Sequence, residues 1–371
     1  MDSVVNADFT GAKRETLADR HLIDGCMAEG RVIDVTVLLL DGGYASTAIG
    51  PIEVFHSAGM LWNELRGETG QPRFRVQVAS ADGRGVMGPC GLQLSPPLSM
   101  DEIESADIVI VPASGTDLKE RIAANPTVIP FLKKWHARGA YIAGICTGVA
   151  FLAEAGLLDG RRATTHWAIA DQVRTLYPQV TWRPDEFVTE DNAVLCSGGV
   201  YASIDVALHL VSKFCGHEIA LQCSRALLVS MPRRSCQSGY AVMPLGRHHS
   251  DEKIREIEEY VQQNFHRDLS IEELARRVGM GQRNFIRRFK AATGEVPGGY
   301  IQALRVTAAK EMLERGATSI QTVCGKIGYG DIAFFRRLFK RHTGMTPGEY
   351  RTRFARMSLE RGEVAGELEA A

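Results

Sequence analysis

Segments 284–300 and 334–350 of this chain carry one pattern fifty positions apart, NFIRRFKAATGEVPGGY and FFRRLFKRHTGMTPGEY. The positions that coincide at this offset include seven of note: two phenylalanines, a lysine, a threonine, a glycine, a proline and a tyrosine. Coincidence of seven positions at one period indicates a duplicated structural unit. We therefore expect two similar small folds, one after the other, near the end of the chain.

Each copy is preceded by a short amphipathic pattern and a glycine. Apolar residues recur at spacings of three and four over 271–278 and again over 320–327, which predicts one apolar face on each helix. Gly279 and Gly328 follow, where a glycine can end a helix and turn the chain. Two helices joined by such a turn form a helix-turn-helix. The pattern predicts two helix-turn-helix units joined by a helix over 300–315.

The second helix of each unit has a cationic and amide outer face. Arg and Lys side chains bind guanine edges and phosphates, and Asn and Gln pair with adenine. The alternative is a solvated charged face on a small helical bundle. The duplication favours DNA, because two such helices on one rigid pair reach successive major grooves, about 34 Å apart. The candidate DNA-binding residues are Gln282, Arg283, Asn284, Arg287, Arg288, Lys290, Asp331, Phe334, Arg336, Arg337, Lys340 and Arg341.

These residues resemble the AraC/XylS DNA-binding domain. The family implies a transcriptional regulator that binds double-stranded promoter DNA, and that also contacts RNA polymerase if it is an activator. Two positions depart from the family pattern: Gly281 stands where a Ser or Thr cap is usual, and Arg288 where an apolar residue is more common. The resemblance rests on Gly294-x-x-Pro297-x-x-Tyr300, Arg305, Ala309, Leu313, Gly328-Tyr329, Phe335, Phe339-Lys340 and Gly344-x-x-Pro347.

Length and composition constrain the rest of the chain. A chain of 371 residues is long enough for two domains, and its formal net charge of −1 hides the basic residues that crowd the two outer helices. The eight cysteines form no C-x-x-C pair and no zinc-spaced cluster with histidine, so we expect reduced thiols, no metal and no cofactor. No apolar run approaches the roughly 20 residues of a membrane helix, and no signal pattern begins the chain. We expect a cytoplasmic protein without membrane contact.

Upstream of the duplication, short apolar runs alternate with helical patterns. Strands separated by helices predict a parallel sheet covered on both faces, here a flavodoxin-like α/β sandwich. Ligand sites in such sheets lie beyond the carboxyl ends of the strands. The candidate ligand-binding residues there are Thr47, Ser114, Gly115, Cys146, Thr147, His166 and Ser197. The predicted strands are Val35–Leu40, Phe74–Ala79, Asp107–Val111, Tyr141–Ile145 and Val194–Ser197.

Cys146 has the most specific sequence context of these candidates. It stands between a predicted strand and an apolar helix, flanked by Gly144 and Gly148, which is the arrangement of a nucleophile elbow. A helix N-terminus can lower the pKa of such a thiol, so Cys146 is a nucleophile, a ligand contact or simply a small residue in a tight turn. His166 is a base for Cys146 if the fold brings the two together, and otherwise a structural histidine.

A second resemblance covers roughly residues 34–216, to the class I glutamine-amidotransferase-like, intracellular-protease-like domain. In this fusion the family implies a sensor, and it makes a nitrogenous metabolite plausible as the small-molecule effector. Thr47 replaces a Glu that enzymes of the family commonly have, and Thr147 replaces the His of protease-like members, so we expect no catalysis. The alternative is a cysteine-dependent amidase or hydrolase that uses Cys146 and His166. The motifs are Gly50-Pro51-x-Glu53-Val54-Phe55, Gly144-x-Cys146-Thr147-Gly148, Leu157-Leu158-x-Gly160 and Thr164-Thr165-His166-Trp167.

These patterns divide the chain and suggest an oligomer. Helices near Trp167–Leu176 and Ile219–Val229 are candidate surfaces for a homodimer, and the polar segment 231–250 is expected to be exposed. The expected parts are a loosely ordered leader (1–33), the sensor domain (34–217), a helix and linker (218–250), the double helix-turn-helix domain (251–356) and a mobile acidic tail (357–371).

Overall fold

The structure, a computed structural model, describes residues 31–231, 237, 240, 249–315 and 318–355. Their contacts divide the chain into two compact units, Met1–Gln237 and Ser238–Ala371. Residues 1–30 of the predicted leader, most of the predicted linker and the predicted tail lie outside the described residues. The proposed domain boundaries therefore remain predictions.

The first unit alternates strands with helices along the chain. Its strands are β1 (Ile33–Leu38), β2 (Phe74–Ser80), β3 (Val86–Met87), β4 (Gln93–Leu94), β5 (Leu98–Ser99), β6 (Ile108–Val111), β7 (Tyr141–Ile145), β8 (Arg162–Ala163), β9 (Thr181–Trp182), β10 (Val188–Asp191) and β11 (Val194–Ser197). Its helices are α1 (Ser46–Ser57), α2 (Leu61–Leu65), α3 (Leu118–Ala124), α4 (Val128–Ala137), α5 (Val149–Glu154), α6 (Ala170–Leu176), α7 (Ala202–Cys215) and α8 (His217–Ala226).

A parallel sheet forms the centre of this unit. Within the described residues it has seven strands in the order β10-β11-β7-β6-β1-β2-β5, and only the β10–β11 pair is antiparallel. Every residue of β1, β6 and β7 is buried, because helices cover both faces of the sheet. One apolar cluster packs α4 and α5 on the sheet, and another packs α1, α7 and α8. The predicted α/β sandwich is confirmed.

The carboxyl ends of the parallel strands meet at one edge. The loop after β6 packs directly on the turn after β7, since a Cβ on Gly148 would lie 2.4 Å from the Pro112 carbonyl oxygen. β11 runs beside β7, with Ser197 opposite Ile145, so its end reaches the same edge. This geometry brings Ser114, Cys146 and Ser197 into one region, as the sequence predicts.

The second unit is helical and consists of two copies of one fold. Each copy has an edge-to-face aromatic chain: Phe285 to Phe289 to Tyr300 with centroids 5.6 and 5.3 Å apart, and Phe335 to Phe339 to Tyr350 with 5.6 and 5.4 Å. These rings fill two separate cores, which confirms the duplication. The helices are α9 (Glu252–Asn264), α10 (Ile271–Arg277), α11 (Gln282–Thr293), α12 (Pro297–Glu314), α13 (Ile320–Lys326), α14 (Ile332–Thr343) and α15 (Pro347–Phe354).

The repeated Thr-Gly pair ends the second helix of each copy. The buried Thr293 hydroxyl donates to the Phe289 carbonyl at 2.9 Å, and Thr343 donates to Phe339 at 2.8 Å. Gly294 and Gly344 follow with φ of 83° and 73°, the left-handed conformation that terminates a helix. The repeat therefore specifies the end of each outer helix.

Helix α12 joins the two copies, and Arg305 in its middle fixes their arrangement. Its guanidinium donates to the carbonyls of Phe265 and Arg267, both at 2.7 Å, and lies 4.7 Å from the Tyr329 ring centroid in the second copy. Gly328 closes the contact, because a Cβ there would lie 2.3 Å from the carbonyl oxygen of His266 in the first copy. The two helix-turn-helix units thus form one packed block.

Candidate DNA interface and candidate effector site

The outer helix of the first copy, α11, exposes its polar face from its first turn onward. Gln282, Arg283, Asn284 and Arg287 line one open surface, and Arg287 donates to the Asn284 side-chain oxygen at 2.9 Å. Gly281 caps the helix without a side-chain hydrogen bond, so the first N–H groups remain available to water or to a phosphate. Lys290 is also exposed. This face can contact both bases and the backbone of a duplex.

The outer helix of the second copy, α14, begins at a carboxylate cap. Asp331 Oδ1 accepts from the backbone N–H groups of Ala333 at 2.7 Å and Phe334 at 3.1 Å, and these bonds hold the pKa of Asp331 below its ordinary value. Phe334 is 40% exposed, which is unusual for a large apolar side chain and places its ring on the outer face. The exposed cationic side chains beside it are Arg336, Arg337, Lys340 and Arg341.

Arg288 differs from the other predicted DNA contacts. It occupies the position of buried Leu338 in the second copy, and its guanidinium binds the carboxylate of Asp251, with Nη2 3.0 Å from Oδ1. Burial raises the pKa of Asp251, but the bonds from Arg288 and from the Ile254 N–H outweigh it and hold that pKa below its ordinary value. Arg288 ties α11 to the start of α9, and we leave it out of the proposed contact set.

Arg288→Leu should therefore change DNA binding much less than Arg287→Leu. Each phosphate contact contributes about 0.9 to the slope of log affinity against log salt, so loss of Arg287 should reduce that slope by about one, and loss of Arg288 should not change it. Fluorescence anisotropy at several salt concentrations measures both slopes. An equal reduction in the two variants would show that Arg288 contacts DNA.

Cys146 has the backbone geometry of a nucleophile elbow. It is a non-glycine residue with φ of 55° at the end of β7, and a Cβ on Gly144 would lie 2.9 Å from Val149 Cα. The thiol is buried, and burial raises its pKa to about 11. The expected lowering by the helix N-terminus is therefore wrong, because desolvation of the thiolate outweighs the helix field. Cys146 is a protonated thiol at neutral pH.

His166, the expected base for Cys146, serves another role. Its Nδ1 accepts the Ala168 N–H at 3.1 Å and caps the short turn Trp167–Ile169, while burial lowers the pKa of the ring. Among the contacts of the described residues, none is a hydrogen bond from the Cys146 thiol to His166. Its neighbour Thr165 instead donates a hydroxyl to the Cys146 carbonyl at 2.9 Å. The expected base is thus occupied as a cap.

The two threonines of the candidate site hold its loops together. Thr47 donates to the Tyr44 carbonyl at 2.6 Å and accepts the Ala113 N–H at 3.1 Å, and Thr147 accepts the Ser114 N–H at 3.0 Å. Their hydroxyls therefore bind backbone. Gly115, which follows Ser114, has φ of 96°, the left-handed region that glycine tolerates best.

Two buried serines of the candidate site have unsatisfied hydroxyls. Ser114 Oγ and Ser197 Oγ are buried and make no hydrogen bond in the structure. A buried hydroxyl without a partner is costly and is commonly satisfied by water or by a ligand. These two serines, on opposite sides of Cys146 in the sheet, are the part of the predicted set best placed to meet a small molecule.

Neither a metal cluster nor a membrane span is found in the described part of the chain. No group of three His, Cys, Asp or Glu side chains there could hold a metal ion. No helix of those residues is long and apolar enough to cross a bilayer.

Comparison with known proteins follows the same division into two parts. A model of the DJ-1/PfpI family matches residues 34–213, and a model of a helix-turn-helix domain matches residues 274–353. The chain is an AraC-type helix-turn-helix regulator with a DJ-1/PfpI domain. Both resemblances predicted from the sequence are confirmed.

Similar proteins share this domain arrangement over most of their length. The HTH-type transcriptional regulator CdhR of Pseudomonas aeruginosa is 27% identical over 320 residues, which are 86% of this chain and 91% of that protein. GbdR of the same organism is 26% identical over 317 residues, 85% and 83% of the two chains. An enzyme, the isonitrile hydratase of Pseudomonas putida, is 32% identical over 149 residues, 40% of this regulator and 63% of the enzyme. The family thus includes both regulators and enzymes.

Cys146 should react slowly with iodoacetamide at pH 7 and faster as the pH rises. With a pKa of about 11, roughly one thiol in ten thousand is ionised at pH 7, and the thiolate is the reactive form. Peptide-resolved mass spectrometry of the full-length regulator measures the rate from pH 7 to pH 9.5, with urea-unfolded protein as the control. A native rate at pH 7 equal to the unfolded rate would disprove this account of the thiol.

Proposed function

We propose that this regulator senses a small-molecule effector in its DJ-1/PfpI domain and binds promoter DNA with its paired helix-turn-helix units. The observation that carries the proposal is the packed block around Arg305, which presents two exposed cationic helices from one body. A rigid pair of this kind suits two successive major grooves.

The exposed faces support a division of the DNA contacts by chemistry. Long cationic side chains along the helices suit phosphates, side chains in the first turns suit base edges, and an Arg further along a helix can also reach guanine. We assign phosphate contacts to Arg287, Lys290, Arg336, Lys340 and Arg341. We assign base contacts to Gln282, Arg283, Asn284, Asp331, Phe334 and Arg337.

We propose sensing without catalysis for the DJ-1/PfpI domain. A cysteine nucleophile needs a base within reach or a lowered pKa. Cys146 is buried with a raised pKa, and the candidate base, His166, accepts a backbone N–H through Nδ1. Thr47, at the position where enzymes of the family commonly have Glu, has its hydroxyl engaged with backbone.

The alternative is an amidase or hydrolase that uses Cys146, and the similarity to isonitrile hydratase is the observation in its favour. Cys146→Ser distinguishes the two functions. Assay of the purified variant against a panel of amides, nitriles and isonitriles should show no turnover in either wild type or variant. Turnover in the wild type that disappears with the thiol would establish the enzyme.

The remaining partners follow from the regulator function. We propose a homodimer that uses the surfaces near Trp167–Leu176 and Ile219–Val229, contact with RNA polymerase if the protein activates transcription, and action in the cytoplasm. Light scattering of the purified protein tests the dimer. A thermal-shift screen of metabolites on the full-length chain tests the effector, because a ligand that binds only the native state raises the unfolding temperature.

A further inference from the structure

Gln237 lies in the segment that the sequence predicts to be an exposed linker, yet its side chain is buried in the first unit. Only 2% of the residue is exposed. Its backbone N–H donates to the Asp185 carbonyl at 2.7 Å, which anchors the residue close to the start of β10. The prediction of an exposed linker is wrong at this residue, because the side chain finds polar partners inside the domain.

The side-chain amide of Gln237 occupies a slot lined by oxygen atoms. Its Nε2 donates towards the carbonyl oxygens of Glu186 at 2.7 Å and Thr165 at 3.0 Å, and towards the Thr164 hydroxyl at 3.2 Å. The amide packs directly against Gly198, where a Cβ would lie only 1.9 Å from Nε2. The slot thus has a glycine floor and presents acceptors to one nitrogen.

This slot adjoins the candidate effector site. The residue that supplies one wall, Thr165, also donates its hydroxyl to the Cys146 carbonyl at 2.9 Å. Ser197, which precedes the glycine floor, has the buried hydroxyl without a partner. A ligand group in the slot would therefore contact Thr165, which is bonded to the elbow, and Gly198, which follows Ser197 in the chain.

We propose that the slot over Gly198 is a binding site for a nitrogen donor, a primary carboxamide or an ammonium group, and that Gln237 fills it as a tethered ligand. Two carbonyl oxygens can only accept hydrogen bonds, so the occupant must donate at least two. Gln237 and an effector that carries such a group exclude each other. The proposal rests on the sensor function proposed above and names the group that its effector presents.

Competition with Gln237 lowers the apparent affinity of the effector for the slot. A ligand that binds only the open slot has its apparent affinity reduced by the fraction of molecules in which the slot is open. Removal of the Gln237 side chain should remove this reduction. Gln237 is the last residue before the second unit in the chain. Displacement of its side chain would therefore also remove a contact that holds this part of the chain on the first unit.

The test uses full-length Gln237→Ala with acetamide as the probe, measured by isothermal titration and by the shift in unfolding temperature. We expect saturable binding at least tenfold tighter than in the wild type, and no binding of N,N-dimethylacetamide, which has no N–H. Gln237→Glu, whose carboxylate only accepts hydrogen bonds, should open the slot in the same way if the alanine variant folds poorly.

Two neighbouring glycines supply a matched control. In the Gln237→Ala background, Gly198→Ala should abolish acetamide binding, whereas Gly199→Ala should preserve it, because a Cβ on Gly199 meets nothing within 4 Å. Absence of saturable binding to both Gln237 variants, or binding that survives Gly198→Ala, would overturn the proposal. Failure of the wild type to bind promoter DNA would instead refute the regulator function and leave the acetamide result unaffected.

Discussion

Gly328→Ala should weaken binding to the operator far more than Gly279→Ala. The operator has two half-sites for each chain, and each half-site is the set of bases that one helix-turn-helix unit contacts. Both glycines follow the first helix of their unit and have positive φ, 86° and 67°, so alanine adds left-handed strain of about 1 to 2 kcal/mol at either position. Only at Gly328 does the new Cβ also meet backbone, 2.3 Å from the His266 carbonyl oxygen. Relief of that overlap costs about 1 to 3 kcal/mol or moves one unit relative to the other.

The comparison of the two variants separates strain from loss of alignment. Fluorescence anisotropy on a footprinted fragment of the upstream region should show a loss of at least tenfold for Gly328→Ala. On a fragment with a single half-site, the affinity of both variants should stay within about threefold of wild type. This corresponds to a change of at most about 0.65 kcal/mol in binding free energy. Equal losses for the two variants on the full operator would mean that the contact around Gly328 does not align the units.

Arg337→Ala should cost about 1 to 3 kcal/mol of affinity for the specific operator and much less for random DNA. Arg337 is exposed on α14 and corresponds to Arg287 in the first copy, although only Arg337 is assigned to a base. A base contact contributes to discrimination between sequences. A phosphate contact contributes to all sequences alike.

Arg336→Ala is the matched control, because it removes the neighbouring guanidinium, which is also exposed, from the same helix. It should weaken specific and random binding by similar factors and reduce the salt slope. Competition titrations with the operator and with sheared genomic DNA measure both ratios. If Arg337→Ala lowered the two affinities equally, Arg337 would be reassigned to the backbone.

The fold was largely predictable because its strongest patterns are local or repeated. The five predicted strands occur close to their expected positions. β6 and β7 are nearly continuous apolar runs, and β1 and β2 begin with apolar residues at every second position. Among the strands that the sequence did not predict, β5 has only two residues, and β10 has four, of which only Val188 is apolar. Such segments contain no apolar run, and their pairing is decided by the neighbouring strand.

The sites were predictable only in part because their partners are distant in sequence. Glycines around Cys146 predicted the elbow, but the pattern did not show how deeply the thiol is buried, and burial reverses the expected pKa shift. Arg288 has the composition of a DNA contact, and its partner Asp251 is 37 positions away. Gln237 lies in a polar segment that predicts exposure, while its acceptors come from residues 51 to 73 positions earlier.

The most direct test of the central claim is the affinity of the full-length regulator for its operator before and after insertion of about five base pairs between the half-sites. The insertion rotates one half-site to the opposite side of the duplex by about half a turn. A packed block of two helix-turn-helix units predicts that affinity falls to the level of a single half-site. Unchanged affinity would show that the two units bind independently, and the account of Arg305 and Gly328 would be wrong.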